Sequence, residues 1–445
     1  MEPITLVRIV LWLLRVLLTA YMAYFALLLL ASLRRRRPVR RFTPSRRFAV
    51  VVPARNEEAV VGNLVESLLC QRYPRSLFDV YVVPNGCTDG TREAALAAGA
   101  YVIDCDVPVR TKGDVLAFAF DRLLAGNCGG ANVPEPAVCG YDAFIVFDAD
   151  NVVDPGFLSA MNNAACAGAQ VAQGYRDSKN PGDTLLSSCT SVYYWTINHF
   201  INRAKSDIGL SAMINGTGFM VAADWLRATG GWRTTTMTED IEYSTQVILR
   251  GEKIAWVPDA LTYDEQPLTF AQSWRQRRRW SSGNLQGFVR YGVRLARGVF
   301  RPGGPLCFDL LMNYLSPIMQ ILYVVLAAVQ IGLEILPGGD RVFPGGDVFY
   351  RIFLSVPGSY LLVTAIGWAV VVLEGKRVAT AVKGILAFGF FFISWIPINV
   401  LCLFRTDREW KEIRHTRGLG IGDLAPIPVR SERRGPHGHG PDGLS

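Results

Sequence analysis

Apolar residues are concentrated towards the two ends of the chain and are less dense in its middle. No charged residue occurs between Val16 and Leu33, and three further apolar segments cover residues 310–333, 352–373 and 384–404. A helix of about 20 apolar residues spans the hydrocarbon core of a bilayer. Each segment is long enough to do so, and the pattern predicts a middle domain held between membrane segments.

The first segment is typical of a retained anchor rather than a cleaved signal peptide. Only Arg8 and Arg15 interrupt it from Leu6 to Leu33, and it ends in arginines, where a signal peptide has a small-residue cleavage site. Positive charge beside a spanning helix marks the cytosolic side. A basic arm could also bind nucleic acid, but this position favours the membrane, and we expect no nucleic-acid partner. The run contains Arg34, Arg35, Arg36, Arg37, Arg40, Arg41, Arg46 and Arg47.

The side of the membrane on which the chain ends stays open at this stage. Four single crossings place the tail opposite the middle domain, whereas the basic residues between 405 and 417 favour the cytosol. Pro317 or Pro397 could break one segment into a re-entrant element. The tail, residues 406–445, is rich in Gly, Pro and Arg towards its end, and we expect it to be largely disordered.

The middle of the chain alternates short apolar runs with helical patterns. Runs at residues 48–52, 79–83, 101–105 and 143–147 each precede a polar or glycine-containing turn. This alternation predicts an α/β fold with a mostly parallel sheet flanked by helices. Ligands of such sheets bind at the carboxyl ends of the strands, so the turns are the places to look for chemistry.

Cysteine and histidine usage argues against a disulfide framework or a zinc cluster. The nine cysteines include no CxxC pair, and the four histidines share no ligand-like spacing. The formal net charge of +8 is local, because the arginine run near the first segment carries no acid.

Three motifs in the middle domain carry side chains suited to one reaction. Asp148 and Asp150 flank one small residue after a buried strand and could grip a hard divalent ion, although such a pair often only caps a helix. Glu239 and Asp240 open a helical pattern, where an acid can be a general base or simply complement the helix dipole.

The third motif is Gln276-Arg277-Arg278-Arg279-Trp280. A guanidinium can hold a departing diphosphate in a bidentate manner, and an indole can stack on a sugar ring. Arginine and tryptophan near a membrane are also ordinary interface anchors, so this motif gains its meaning from the other two.

The three motifs, in this order and just before the second membrane region, resemble glycosyltransferase family 2. The resemblance covers roughly residues 47–283 and is to the processive membrane branch that contains cellulose, chitin and hyaluronan synthases. It implies a GT-A fold, a UDP-sugar donor, Mg²⁺ or Mn²⁺, and inversion of the anomeric centre in a single displacement.

The resemblance also implies residue roles. Asp148 and Asp150 would hold the metal, Asp240 would be the catalytic base beside Glu239, and many relatives carry an aspartate where this chain has Pro84 or Asn85. The expected nucleotide-sugar residues are Pro53, Ala54, Arg55, Glu57, Asn85, Asp89, Lys112 and Asp148. The expected diphosphate and acceptor residues are Gln276, Arg279, Trp280, Gly216, Thr217 and Gly218.

These expectations divide the chain into five parts. They are an N-terminal anchor with its basic run (1–45), a GT-A domain (46–283), an interfacial amphipathic helix (284–303), a C-terminal transmembrane region (304–405) and the tail (406–445). Arginines at three- and four-residue spacing in the third part fit the headgroup region of a membrane.

We expect a multi-pass protein of the plasma or inner membrane with a cytosolic catalytic domain. Its expected activity is extension of a β-linked polysaccharide, and the alternative is a single transfer to a membrane lipid. A catalytically inactive transporter subunit or a carbohydrate-binding protein is a third class, disfavoured by the intact acidic residues. The sequence names neither the sugar nor a protein partner.

Overall fold

The computed structural model describes residues 3–34, 40–127, 130–133, 140–335, 356–406 and 418–423. The strands are β1 (Phe48–Ala54), β2 (Phe78–Pro84), β3 (Tyr101–Val102), β4 (Ala143–Val146), β5 (Val152–Val153), β6 (Val171–Ser178), β7 (Phe219–Ala222) and β8 (Ile254–Asp264). The helices are α1 (Pro3–Ala31), α2 (Val61–Leu69), α3 (Thr91–Ala97), α4 (Lys112–Leu124), α5 (Phe157–Cys166), α6 (Leu185–Thr196), α7 (Ala204–Asp207), α8 (Ala223–Thr229), α9 (Glu239–Leu249), α10 (Phe270–Gly298), α11 (Gly304–Ile335), α12 (Val356–Leu373), α13 (Val378–Ile393) and α14 (Trp395–Phe404). A π-helical segment, Ile197–Arg203, joins α6 to α7.

The strands form one sheet in the order β3-β2-β1-β4-β7-β6-β8-β5. Parallel pairing joins β3, β2, β1 and β4, and also β6 to β8, whereas β7 and β5 run antiparallel to their neighbours. The expected α/β fold is therefore confirmed, and all four predicted strands are present. The two antiparallel strands are short, of four and two residues, and strands of this length show no alternation of apolar and polar residues by which to find them.

Both faces of the sheet are covered, as a mostly parallel sheet requires. All residues of β1 are buried, with Val50 and Val52 in the core beneath α2 and Val51 in the opposite core with Phe120 of α4. Because both of its faces are buried, β1 is apolar along its whole length. The loop that follows β1 carries polar residues, among them Arg55 and Glu57, and lies at the carboxyl edge of the sheet.

The helix α10 carries the third motif and runs without interruption from Phe270 to Gly298. Thr269 and Gln272 form a reciprocal capping box at its start, which satisfies two backbone donors. Residues 284–298, expected to form a separate interfacial helix, continue the same helix, while Val289 and Val293 are exposed on it. The third motif and the membrane region are thus joined by one continuous helix, α10.

A short turn between α12 and α13 docks on β6 of the sheet domain. Tyr175 donates a hydrogen bond of 2.8 Å to Glu374, which also contacts the buried His199, and Lys376 pairs with Asp177. The membrane region and the sheet domain are consequently linked through buried polar contacts as well as through the chain.

The last apolar segment is broken at Ser394. Arg277 Nη1 donates to the carbonyl oxygen of Phe391 (3.2 Å) and to Ser394 Oγ (2.7 Å), which satisfies groups at the end of α13. Pro397 lies in the first turn of α14, where proline is tolerated.

Both ends of this broken segment contact the sheet domain and α10. Lys376 meets Asp177 before it, and Cys402 Sγ lies 3.4 Å from Ser282 Oγ near its end. Helices long and apolar enough to cross a membrane cover Thr5–Ala31, Gly304–Val329 and Val378–Phe404, and Pro357–Leu373 is a shorter apolar helix. The geometry around Ser394 favours the re-entrant alternative for the last of these.

The C-terminal segment that the structure describes also contacts the sheet domain. A Cβ on Gly418 would lie 3.2 Å from the carbonyl oxygen of Ala59 and from Asn63 of α2. Residues 407–417 and 424–445, which contain most of the predicted disordered tail, lie outside the described residues.

Candidate active site

A cleft of about 130 Å³ opens at the carboxyl edge of the sheet, between the start of α4, the start of α9 and α10. Residues at or just after the carboxyl ends of β1, β4, β6 and β8 line it, together with the loop before β7. Twelve of the predicted site residues line this donor cleft, although they come from six separate stretches of the chain. They are Pro53, Arg55, Glu57, Lys112, Asp148, Asp150, Gly216, Glu239, Asp240, Gln276, Arg279 and Trp280.

Lys112 is the electrostatic centre of the donor cleft. Thr111 and Asp114 form a capping box that fixes the first turn of α4, so Lys112 projects from a rigid helix start. Its Nζ donates to Asp148 Oδ1 (2.5 Å) and to the carbonyl oxygen of Gly216 (2.6 Å), and lies 3.7 Å from Glu239 Oε1. Burial alone would raise the pKa of Asp148, but Lys112, Arg176 and Arg279 outweigh it and hold that pKa below its usual value.

Asp148 and Asp150 fit a divalent ion that is shared with a substrate. Asp150 is almost fully buried and accepts a hydrogen bond of 3.2 Å from the backbone N–H of Glu265. Within the described parts of the chain, no group of three or more His, Cys, Asp or Glu side chains is arranged to hold a metal ion. Mg²⁺ commonly binds to one or two carboxylates plus substrate phosphates, and the donor set here suits that mode.

Glu239 and Asp240 begin α9 and point into the donor cleft. Burial is the main cause that raises both pKa values, that of Glu239 to about 7, and the proximity of Asp240 raises the Glu239 value further. Asp240 Oδ1 accepts a hydrogen bond of 2.8 Å from the Ile241 N–H. A carboxylate with a raised pKa is a stronger base, which suits removal of a proton from a hydroxyl group.

The motif on α10 lies against the start of α9 because a glycine allows it. A Cβ on Gly283 would lie 2.3 Å from Thr238 Oγ1, so no larger residue fits there. Gln276, Arg279 and Trp280 share one helix face by their spacing of three and four residues, and the Trp280 ring stacks on Tyr193 at 6.1 Å. Gln276 Oε1 is buried without a hydrogen-bond partner.

A second cavity, of about 380 Å³, continues from the donor cleft towards α1, α11 and α14. Five residues line both cavities: Arg176, Asn215, Thr238, Asp240 and Trp280. Asp240 therefore faces both spaces. We call this second space the acceptor cavity.

Five predicted site residues, all in described ranges, do not line the donor cleft. Asn85 donates to the carbonyl oxygen of Ala54, and Asp89 accepts hydrogen bonds from Thr91 and from the Glu58 N–H. Thr217 Oγ1 accepts from the Asp148 N–H. Gly218, with φ +62°, passes against Thr262. They support the loops around the cleft: Ala54, Asn85, Asp89, Thr217 and Gly218.

Sequence reasoning missed Arg176, Asp264 and Glu265, which line the donor cleft. They lie at the carboxyl ends of β6 and β8, which pair in parallel with Arg176 opposite Thr262. Neither strand is a clean apolar run, since Gln173 and Gly174 interrupt β6 and Pro258 and Asp259 interrupt β8. Neither run was recognised as a strand, so the charges were not assigned to the site.

The chain belongs to glycosyltransferase family 2. A family model described as glycosyltransferase-like family 2 matches residues 44–283, the part of the chain that holds the sheet, the donor cleft and the three motifs. The expected family is thus confirmed.

Two curated relatives differ in what they make. The chain is 24% identical over 318 residues to a beta-monoglucosyldiacylglycerol synthase of Synechocystis, a match that covers 64% of this chain and 58% of that protein. It is 22% identical over 348 residues to a poly-beta-1,6-N-acetyl-D-glucosamine synthase of Staphylococcus aureus, with 77% of each covered. The matches to several other curated relatives span little more than half of those proteins.

Among solved structures, the fold is similar to a mannosyltransferase, PcManGT of Pyrobaculum calidifontis, in complex with GDP-Man and Mn²⁺. The TM-score is 0.55 at 16% identity, and the match covers 88% of this chain and 99% of that one. This likeness confirms the GT-A fold.

Proposed function

We propose that this protein is a membrane-embedded inverting glycosyltransferase that transfers a sugar from a UDP-sugar to the end of a growing β-linked polysaccharide. The observation that supports this product most is the acceptor cavity, because it begins at the proposed base and continues among helices long enough to cross a membrane.

The lining of the acceptor cavity supports a hydroxyl-rich acceptor. Three buried amide atoms in its wall lack hydrogen-bond partners: Asn202 Nδ2, Asn215 Nδ2 and Asn284 Oδ1. Leaving a buried polar group unpaired costs about 1–3 kcal/mol, and sugar hydroxyls can both donate to and accept from such atoms. Further polar side chains line it from α11 and α14: Asn313, Ser316, Gln320 and Asn399.

The proposed reaction needs four roles. Asp240 accepts a proton from the acceptor hydroxyl, whose oxygen then attacks the anomeric carbon while the bond to the diphosphate breaks. Arg279 stabilises the departing diphosphate, and Trp280 stacks on a sugar ring. Mg²⁺ or Mn²⁺ held by Asp148 and Asp150 would neutralise charge on the leaving group.

Uridine as the nucleotide rests on the resemblance of the loop after β1, including Pro53, Arg55 and Glu57, to the family. Those three residues line the donor cleft. Asp89, the other acid expected near uridine, supports this loop through the Glu58 N–H. A role for Asp89 in organising the nucleotide loop is therefore part of the proposal.

The second candidate is a single transfer to a membrane lipid. Apolar side chains of the acceptor cavity favour it, namely Phe25, Met213 and Phe392, because they could receive part of an acyl chain. The Synechocystis relative, by its name, makes a glycolipid. The polar residues deeper in the helices make this candidate the weaker one.

Product analysis separates the two candidates. Purified protein in lipid nanodiscs is incubated with radiolabelled UDP-glucose, UDP-N-acetylglucosamine, UDP-glucuronate or UDP-galactose, and the products are resolved by size and by extraction into organic solvent. We expect a ladder of water-soluble oligomers with one donor, and none from an Asp240→Asn variant. A single labelled lipid with no ladder would contradict the polysaccharide proposal.

A further inference from the structure

Arg176 lies where the donor cleft meets the acceptor cavity. In the described chain it is the only basic residue that lines both, and its side chain is about 10% exposed. It projects from β6, between Tyr175 and Asp177, which contact the turn after α12. The strand is thus clamped on one side while Arg176 faces the site on the other.

Each of the three nitrogens of the Arg176 guanidinium contacts a protein group. Nε donates to Asp264 Oδ2 at 2.7 Å, Nη2 contacts the same carboxylate, and Nη1 donates to the carbonyl oxygen of Asn215 at 2.7 Å. The guanidinium carbon also lies 4.2 Å from the centre of the Tyr194 ring. Only a planar fork makes these contacts together, and a lysine ammonium cannot replace it.

These contacts fix one particular loop. Arg176 holds the carbonyl oxygen of Asn215, and Lys112 holds the next one, that of Gly216, at 2.6 Å. Two cations therefore grip successive carbonyls, one from the acceptor side and one from the donor side. The loop between them cannot rotate without losing a charge-assisted hydrogen bond.

The Asn215-Gly216 loop lies directly against Asp240, the proposed base. Gly216 has φ +83°, and a Cβ added to it would lie 3.4 Å from Asp240 Oδ2 and 3.9 Å from Arg176 Nη1. A shift of this loop would change the space beside the Asp240 carboxylate. That space is where the acceptor hydroxyl has to stand for proton transfer.

We propose that Arg176 is a positioning residue of the transfer reaction, which fixes the Asn215-Gly216 loop and thereby places the acceptor hydroxyl against Asp240. This inference rests on the proposed glycosyl transfer. It assigns to Arg176 no direct contact with the nucleotide, because its donors are turned towards Asp264 and Asn215.

The test compares Arg176→Lys with the parent enzyme by steady-state kinetics. A displacement of about 1 Å can lower a rate by about 100-fold, so we expect kcat to fall by about that factor while the KM for the donor stays the same. Hydrolysis of the donor by water needs no placed acceptor, and the ratio of hydrolysis to transfer should therefore rise. A residue with only a structural role would lower both rates together.

Two further variants complete the design. Asp264→Asn leaves Arg176 in place but removes its charged anchor. We expect the ratio of hydrolysis to transfer to rise in this variant too, so the test does not depend on correct folding of Arg176→Lys. Arg233→Lys alters an exposed arginine that pairs with Asp121 and should behave like the parent. A parent-like kcat and ratio in Arg176→Lys, or a rise in donor KM that accounts for its loss of activity, would overturn the inference. Absence of transfer by the parent would instead refute the proposed function.

Discussion

Asp240 stands in the wall that the donor cleft and the acceptor cavity share, and its environment is that of a base. Burial raises its pKa, while Lys112, Arg176 and Arg279 oppose that effect. The balance leaves the pKa of Asp240 above its usual value, beside a nucleotide site that needs positive charge. The same three cations stabilise ionised Asp148, so the two acids differ in behaviour through position alone.

Replacing Asp240 with Asn tests the proposed base. The amide keeps the shape but cannot accept a proton, and we expect kcat to fall by about 10²–10⁴-fold. Binding of UDP, measured by calorimetry, should be unchanged because the nucleotide residues remain. Turnover equal to that of the parent would remove Asp240 from the mechanism.

The raised pKa values of Glu239 and Asp240 predict an acid limb in the pH profile. The base works only when deprotonated, so a raised pKa moves the loss of activity to higher pH. We expect kcat/KM for the donor to decline as the pH falls, with a midpoint above the ordinary pKa of an aspartate, because burial raises the pKa of Asp240. In Glu239→Gln the like charge is gone, and the limb should move to lower pH. An unmoved limb would show that the two carboxylates titrate independently.

The sequence alone identified residues of the cleft where they lie within a short, recognisable motif. Asp148, Asp240 and Arg279 were found because short patterns surround them, and all three line one cleft. Arg176 and Asp264 were missed because their meaning lies in the pairing of two distant strands, β6 and β8. The roles of all these residues stay predictions.

At the scale of elements, the contact between α13 and α6 depends on a missing side chain. A Cβ on Gly384 would lie 2.4 Å from Ser188 Oγ and 2.5 Å from the Ser188 carbonyl carbon. The Ser188 Oγ also accepts a hydrogen bond of 3.0 Å from the Gly384 N–H. The two helices touch along their backbones, which locks α13 onto the sheet domain.

Gly384→Ala should therefore force α13 and α6 apart. Overpacking of this kind costs about 1–3 kcal/mol, and we expect a lower apparent melting temperature in detergent. Gly332→Ala is the matched control, since a Cβ on Gly332 meets nothing within 4 Å. Equal melting temperatures for the two variants would contradict the close packing.

Among the elements, amphipathic and apolar patterns identified long helices well but not their breaks. The pattern divided the chain near residue 284, whereas the structure has one helix, α10, from Phe270 to Gly298. It also left open which proline breaks a segment. The break at Ser394 depends on Arg277, which is 117 positions away in the chain, and no local pattern records such a contact.

At the scale of the whole molecule, buried ion pairs join the membrane region to the sheet domain. Lys205 pairs with Asp309 of α11 at 2.9 Å, both fully buried, and Tyr24 of α1 donates to the same carboxylate. Removing one partner of a buried pair costs about 3–5 kcal/mol. These contacts hold α1 and α11 in a fixed position against the sheet domain.

We predict that α1, α11 and α12 cross the membrane, whereas α13 and α14 return to the side of the sheet domain, so that both this domain and the C-terminus are cytosolic. A C-terminal green fluorescent protein fusion should fluoresce, and a C-terminal alkaline phosphatase fusion should be inactive. The reverse pattern would restore a fourth crossing.

The wall that the donor cleft and the acceptor cavity share would also determine the order of steps in elongation. With the proposed polysaccharide product, a sugar that has just been joined would still occupy the donor side of Asp240 and Trp280, which line both cavities, and would block entry of the next nucleotide-sugar. Loading would then resume only after the nascent end has advanced by one unit. The pace of elongation would then be governed by this forward step as much as by bond formation.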